Sequence, residues 1–184
     1  MTPDNSFIPL TGRYEQLTVY KVATCIYAIT YYFAHTFLPK GDRTIDQMVQ
    51  AARSGKQNIA EGCIDGDTSK EMQIKLLNTA RGSMHELKAD YEDYLLTRGL
   101  EHWKSDDPRS IQTKLYCKLH NEPQHYQQAI RERSAETIAN IALTLIHQYM
   151  PMIKGLIEYN KRLFLEKGGI KEDMSAARRA KRGY

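Results

Sequence analysis

Six apolar residues, Leu77, Ala80, Met84, Leu87, Tyr91 and Tyr94, recur at alternating steps of three and four. That spacing places all six on one side of an α-helix. A strand, with its period of two, would scatter them over both faces. A seam of this kind suits helices packed nearly parallel to one another. The segment predicts a helix ending near residue 97, roughly 30 residues and about 45 Å long at the usual rise. Its start has a capping-box signature, Thr68-Ser69-Lys70-Glu71, with Thr68 as N-cap and Glu71 at the third helical position. Gly99 follows as a stop.

Three further segments carry the same period. Over 14–37, Val22, Ile26, Ile29, Phe33 and Phe37 share one face, and Tyr20, Tyr27 and Tyr31 line the neighbouring strip. Over 43–61, with Asp42 as N-cap and Gly62 as stop, the face is Ile45, Met48, Val49, Ala52 and Ile59. The last begins near Gln124 or Ile130 and ends near Phe164. Its seam is Ile138, Ile141, Leu145, Tyr149, Met152, Leu156, Tyr159 and Leu163, with a kink expected at Pro151. Between the third and fourth segments, 100–128 reads as a long crossover with a short helix near 109–119. Four amphipathic helices without a strand pattern predict an all-α fold, an up-down antiparallel four-helix bundle with a long crossover before the last helix.

Composition narrows the function classes. With 41% hydrophobic residues and 184 positions, the chain can build one sizeable core. No run approaches the ~20 apolar residues of a membrane span, and the first ten residues lack the pattern of a secretory signal. Cys25, Cys63 and Cys117 are odd in number and widely spaced, which fits free thiols in a reducing cytoplasm.

The charge is displaced to one end. Residues 167–184 hold six basic and two acidic residues, a balance of +4, which equals the net charge of the whole chain. We therefore divide the chain into a neutral bundle domain, 1–166, and a basic tail, 167–184. Lys167, Lys171, Arg178, Arg179, Lys181 and Arg182 are the candidate nucleic-acid contacts, since dense cations neutralise phosphates and release counterions. The same tail also reads as a solvated end or as a peptide that docks on protein.

The run from Ala51 to Gly62, containing Asn58-Ile59-Ala60-Glu61-Gly62, is followed by Thr68-Ser69-Lys70-Glu71 and by Gly82-Ser83-Met84-His85-Glu86-Leu87. These motifs resemble the four-helix bundle proteins encoded in intervening sequences of bacterial 23S ribosomal RNA genes. That family includes the accessory variability determinant of diversity-generating retroelements. The stretch Gly168-Gly169-Ile170-Lys171-Glu172-Asp173-Met174, with Arg178 and Arg182, is similar to the suffix domain that some members carry. The resemblance implies a homo-oligomer, with a ring of five in the retroelement protein, and contact with RNA or DNA and a reverse transcriptase. It implies no catalytic residue and no cofactor. Asn58, Glu61, Gly62, Glu71, Gly82 and Ser83 carry the motif and read as structural: helix-end polar groups and small residues where helices cross.

Other constellations are thinner. Cys117, His120 and His125 have metal-like spacing without an evident fourth ligand. His85, Glu86 and His102 do not form the paired Glu-x-x-His of di-iron bundles. No Gly-rich phosphate loop or nucleophile elbow occurs. Tyr14, Tyr20, Tyr27, Tyr31 and Tyr32 read first as core and subunit interface and second as a surface that stacks nucleobases. Two readings follow: an oligomeric accessory protein contacting nucleic acid or a nucleic-acid enzyme, and a scaffold that binds only protein.

Overall fold

A computed structural model describes residues 14–66 and 69–167 together with Arg179. The described residues are all-helical. A 3₁₀ turn at Tyr14–Gln16 precedes α1, Thr18–Phe37. Then come α2, Arg43–Asp65, and α3, Lys70–Thr97. The connection holds α4, Pro108–Leu119, α5, Gln124–Gln127, and a 3₁₀ turn at Ala129–Glu132. Next comes α6, Ala135–Lys167. The four long helices form a cycle of neighbours: α2 packs on α1 and α3, and α6 packs on α3 and α1.

Local chemistry sets most of the boundaries. Asp42 caps α2 by accepting from the Thr44 N–H at 2.9 Å. Asp107 caps α4 through the Arg109 N–H at 2.7 Å, with Pro108 at the first helical position, where its missing N–H costs nothing. Ser134 caps α6 through the Thr137 N–H at 3.3 Å. At the end of α3, Gly99 takes φ +63°. Its N–H donates to the Leu96 carbonyl, and the Leu100 N–H donates to that of Leu95, which is a Schellman ending.

The core lies inside the cycle. All six residues of the α3 seam are buried, as are Val22, Ile26, Ile29 and Phe33 of α1. Each large apolar side chain taken from water contributes about 1.5–3 kcal/mol. Phe33 meets Tyr91 and Tyr94 at ring distances of 5.0 and 4.7 Å. The buried Tyr91 hydroxyl donates to Thr30 at 3.0 Å, so its polar group is satisfied.

Four sequence expectations need correction. The N-cap of α3 is Ser69, whose hydroxyl accepts from the Met72 N–H at 3.2 Å; Thr68 lies outside the described residues. Gly62 does not stop α2, which continues to Asp65. The last helix starts at Ala135, and the residues from Gln124 form separate short turns. Beyond Tyr149 the buried stripe of α6 is Ile153, Ile157 and Asn160, while Met152 and Tyr159 are exposed. Pro151 sits on the exposed side of a helix that runs through it without a break.

Candidate functional site

The basic tail falls almost wholly outside the described residues. Lys167 is the last residue of α6 and Arg179 is exposed; Lys171, Arg178, Lys181 and Arg182 are among the residues not described.

The motif residues divide into two groups. Asn58, Gly62 and Ser83 lie along the α2–α3 contact. Asn58 Nδ2 donates to the Ser54 carbonyl at 2.9 Å and to its hydroxyl at 3.0 Å, and the Ser83 hydroxyl donates to Ser54 Oγ at 2.9 Å. A methyl group on Gly62 would touch the Gln73 carbonyl and Leu76 at 3.4 Å. Glu61, Glu71 and Gly82 are exposed. Glu71 pairs with Lys75 at 2.7 Å, and a Cβ on Gly82 would meet nothing within 4 Å. Gly82 is therefore not small on account of a helix crossing. Asn58 is bonded in mid-helix and does not serve a helix end.

A different surface gathers functional chemistry. On α1, Tyr27, Tyr31 and His35 are spaced four apart and form a ladder. Tyr31 and His35 stack at 4.3 Å with 30° between their planes, and Tyr27 stands 6.3 Å from Tyr31. His35 Nδ1–H donates to the Tyr31 carbonyl at 2.8 Å, which fixes the ring's orientation. Tyr31 is 51% exposed. Among the described residues the exposed part of the Tyr31 ring is not covered.

The ladder forms one wall of an open groove of about 540 Å³. Gln127, Ile130 and Arg131 form the opposite wall, and among the described residues no carboxylate lines it. Lys56 of α2 lies over the Tyr27 ring at 4.8 Å. Among the described residues Arg131 has no ion-pair partner within 4 Å. Aromatic faces flanked by a guanidinium and an ammonium can hold planar groups that carry anions. Of this wall the sequence marks Tyr27 and Tyr31, and not His35. Lys56, Gln127 and Arg131 were not singled out, because they join the groove only through the packing of α2 and the crossover on α1.

Nucleophilic chemistry finds little support. Cys25, Cys63 and Cys117 are buried and free. Burial pushes the Cys25 thiol up to about 12, and Cys63 and Cys117 up to about 11, so all three are protonated at neutral pH. His120 stacks on Tyr116 at 4.1 Å and meets His125 edge-on. Among the described residues no three His, Cys, Asp or Glu side chains stand together in a way that would hold a metal ion. No helix among them is long and apolar enough to cross a membrane.

Comparison with protein-family models, curated proteins and solved structures finds no match to this chain.

Proposed function

We propose that the chain is a cytoplasmic, non-enzymatic accessory protein that binds single-stranded nucleic acid as a homo-oligomer, alone or together with a nucleic-acid enzyme such as a reverse transcriptase. The observation that carries this reading is the Tyr27–Tyr31–His35 ladder facing Arg131. Bases stack on such a platform without sequence preference, and the cations follow the backbone. The basic residues of 167–184 add a second, purely electrostatic contact. The cycle of neighbours α1, α2, α3 and α6 supports an up-down antiparallel four-helix bundle as the scaffold, with α4, α5 and the turns around them as the crossover.

The test is fluorescence anisotropy with a labelled single-stranded RNA, a single-stranded DNA and a duplex, over a salt series. The expected result is salt-dependent binding to single strands, weakened severalfold by Tyr31→Ala and by Arg131→Ala. A version ending at Lys167 should bind with a shallower salt slope. Absence of binding by the full chain at low salt would overturn the reading.

One observation favours a protein-only scaffold. Ile111, Leu115 and Leu119 of α4 are 48%, 61% and 79% exposed at steps of four, an apolar stripe suited to a second chain. Light scattering distinguishes the cases: assembly without nucleic-acid binding supports the scaffold, and a monomer removes the oligomer from both readings.

A further inference from the structure

Where α4, α5, the 3₁₀ turn at Ala129–Glu132 and α6 meet lies a second cavity of about 210 Å³. We propose that it binds a small apolar monocarboxylate, one that joins a single ring or a short branched chain to one carboxylate. The cavity shares only Ile130 with the groove on α1, and its ligand does not need that groove to bind nucleic acid.

The floor is apolar. Cys117 of α4, Tyr126 of α5, Ile130 of the 3₁₀ turn and Ile141 of α6 line it, and all four are buried. Tyr116 completes the wall, edge-on to Tyr126 at a ring distance of 5.9 Å. Both tyrosines spend their hydroxyl protons on backbone outside the cavity. Tyr126 donates to the His120 carbonyl at 2.7 Å, and Tyr116 donates to the His125 carbonyl at 3.1 Å. The two bonds cross between the end of α4 and α5, so the walls are set before a ligand arrives. Water over such a floor finds few partners, and an apolar group that displaces it gains affinity.

The rim is polar and carries one charge. Gln112 and Thr113 of α4 stand there with Arg133, just beyond the 3₁₀ turn. Arg133 is exposed, and among the described residues its guanidinium is in no ion pair. Among the described residues no carboxylate lines the cavity. Glu101, Asp107 and Glu136 gather on Arg109, and none of the four belongs to the lining. Glu122 pairs with Lys21 at 2.6 Å. A guanidinium offers a planar fork of N–H donors that matches a carboxylate.

Size sets the ligand class. A cavity of about 150 Å³ lined by aliphatic and aromatic side chains is enough to hold benzene. The present one has room for a ring and its carboxylate, and falls short of the ~300–1,000 Å³ of drug-sized sites. A bare inorganic anion would leave the apolar floor to water, and a neutral ring would leave Arg133 to water. A ligand with both parts covers both.

The Ile130 and Ile141 methyl resonances of the isotope-labelled full chain report on the floor, and Ile141 lies outside the α1 groove. Benzoate and isovalerate are titrated at constant pH and ionic strength, with benzamide and acetate as controls. The expected result is a saturable shift of both methyls with benzoate, at least tenfold weaker with benzamide, which lacks the charge, and with acetate, which lacks the ring. Arg133→Gln should weaken benzoate at least tenfold, as loss of a charged hydrogen bond does. Ala129→Leu, which fills the cavity from its half-buried lining, should remove the shift, with helical content preserved in both variants. Saturation by both acids assigns the cavity to either apolar body, and saturation by one alone assigns it to that body. The proposal is overturned if neither acid moves Ile141 at millimolar concentration, if benzamide binds as benzoate does, or if Arg133→Gln binds benzoate undiminished.

Discussion

The Ser83 hydroxyl of α3 donates to the Ser54 hydroxyl of α2 at 2.9 Å, and Asn58 donates to the same oxygen from one turn further along α2. Ser54 is therefore the hub of a short polar chain across the helix contact. Removing the hub leaves the Ser83 hydroxyl without its acceptor and Asn58 with the Ser54 carbonyl alone, whereas removing Ser83 leaves both bonds of Asn58 in place. We predict that Ser54→Ala costs about 1–3 kcal/mol and Ser83→Ala at most about 1.5, although Ser83 is the more buried. Urea denaturation of the two variants gives the order directly.

The glycines of the same helix pair should respond with opposite signs. A Cβ on Gly55 would come within 2.6 Å of Met84 Cε and 2.8 Å of Met84 Cγ. Met84 is fully buried, so the clash is not relieved by swinging the side chain into solvent. Gly55→Ala should destabilise by about 1–3 kcal/mol through overpacking. Gly82 lies exposed within α3 with open space at its Cβ. Gly82→Ala should stabilise by about 0.5–1 kcal/mol, the helix-propensity difference. Thermal melts of the two variants, shifted in opposite directions, would confirm that the motif glycines have separate causes.

Asn140 of α6 makes three hydrogen bonds through one buried amide, two to the post-α3 segment at Trp103 and Glu101 and one to Glu136 of its own helix. Truncation strands the Trp103 backbone N–H and the Glu101 carbonyl. We predict that Asn140→Ala costs about 2–4 kcal/mol, above a single net hydrogen bond because groups are left unsatisfied. The Trp103 emission should shift to the red in the native state as water reaches the indole.

The seam of α3 was legible because from Leu77 to Tyr91 each step offers one apolar choice, and all six residues are buried. The second half of α6 was not. After Tyr149 a step of three leads to Met152 and a step of four to Ile153, and both are apolar. The chain takes the step of four, which leaves Pro151 on the exposed side. There water can reach the His147 carbonyl that has no proline N–H to accept. Gly62 was misread for a related reason. Glycine serves both for positive φ and for close approach, and only the position of α3 decides between them. Tyr27 and Tyr31 of the α1 ladder were visible as a spacing, while His35 was not, and the opposing wall, Gln127 and Arg131, depends on how the crossover folds back.

Stability should fall on mild acidification through His147. Desolvation of the imidazole, then Lys88, lowers its pKa from 6.5 in the folded chain, partly offset by Glu92. The unfolded chain binds the proton first as pH falls, so this group's contribution is complete above about 6.5 and declines below it. Asp42 and Asp107 act in a separate window. The Thr44 backbone N–H at Asp42, and the Arg109 side chain at Asp107, hold these carboxyls below the usual range. Their contribution is lost only as pH falls below about 4. Melts between pH 8 and 5 should slope downward toward acid, and His147→Gln should flatten that slope without altering the loss nearer pH 3.

The three thiols should behave as reporters of unfolding. Alkylation requires thiolate and access, and burial denies both. The Cys25 thiol stands at about 12 and its neighbour Cys117 at about 11, with Cys63 raised by burial against α3 to about 11. At neutral pH the native chain should leave all three unmodified by iodoacetamide over the time in which a free peptide thiol reacts fully. Labelling should begin with global unfolding, since all three cysteines lie in the same core cluster. Cys63, near the end of α2, is the probe of local opening. Its labelling ahead of the other two under mild urea would show that the α2–α3 connection opens before the core. Simultaneous labelling of all three would place the connection within the cooperative unit.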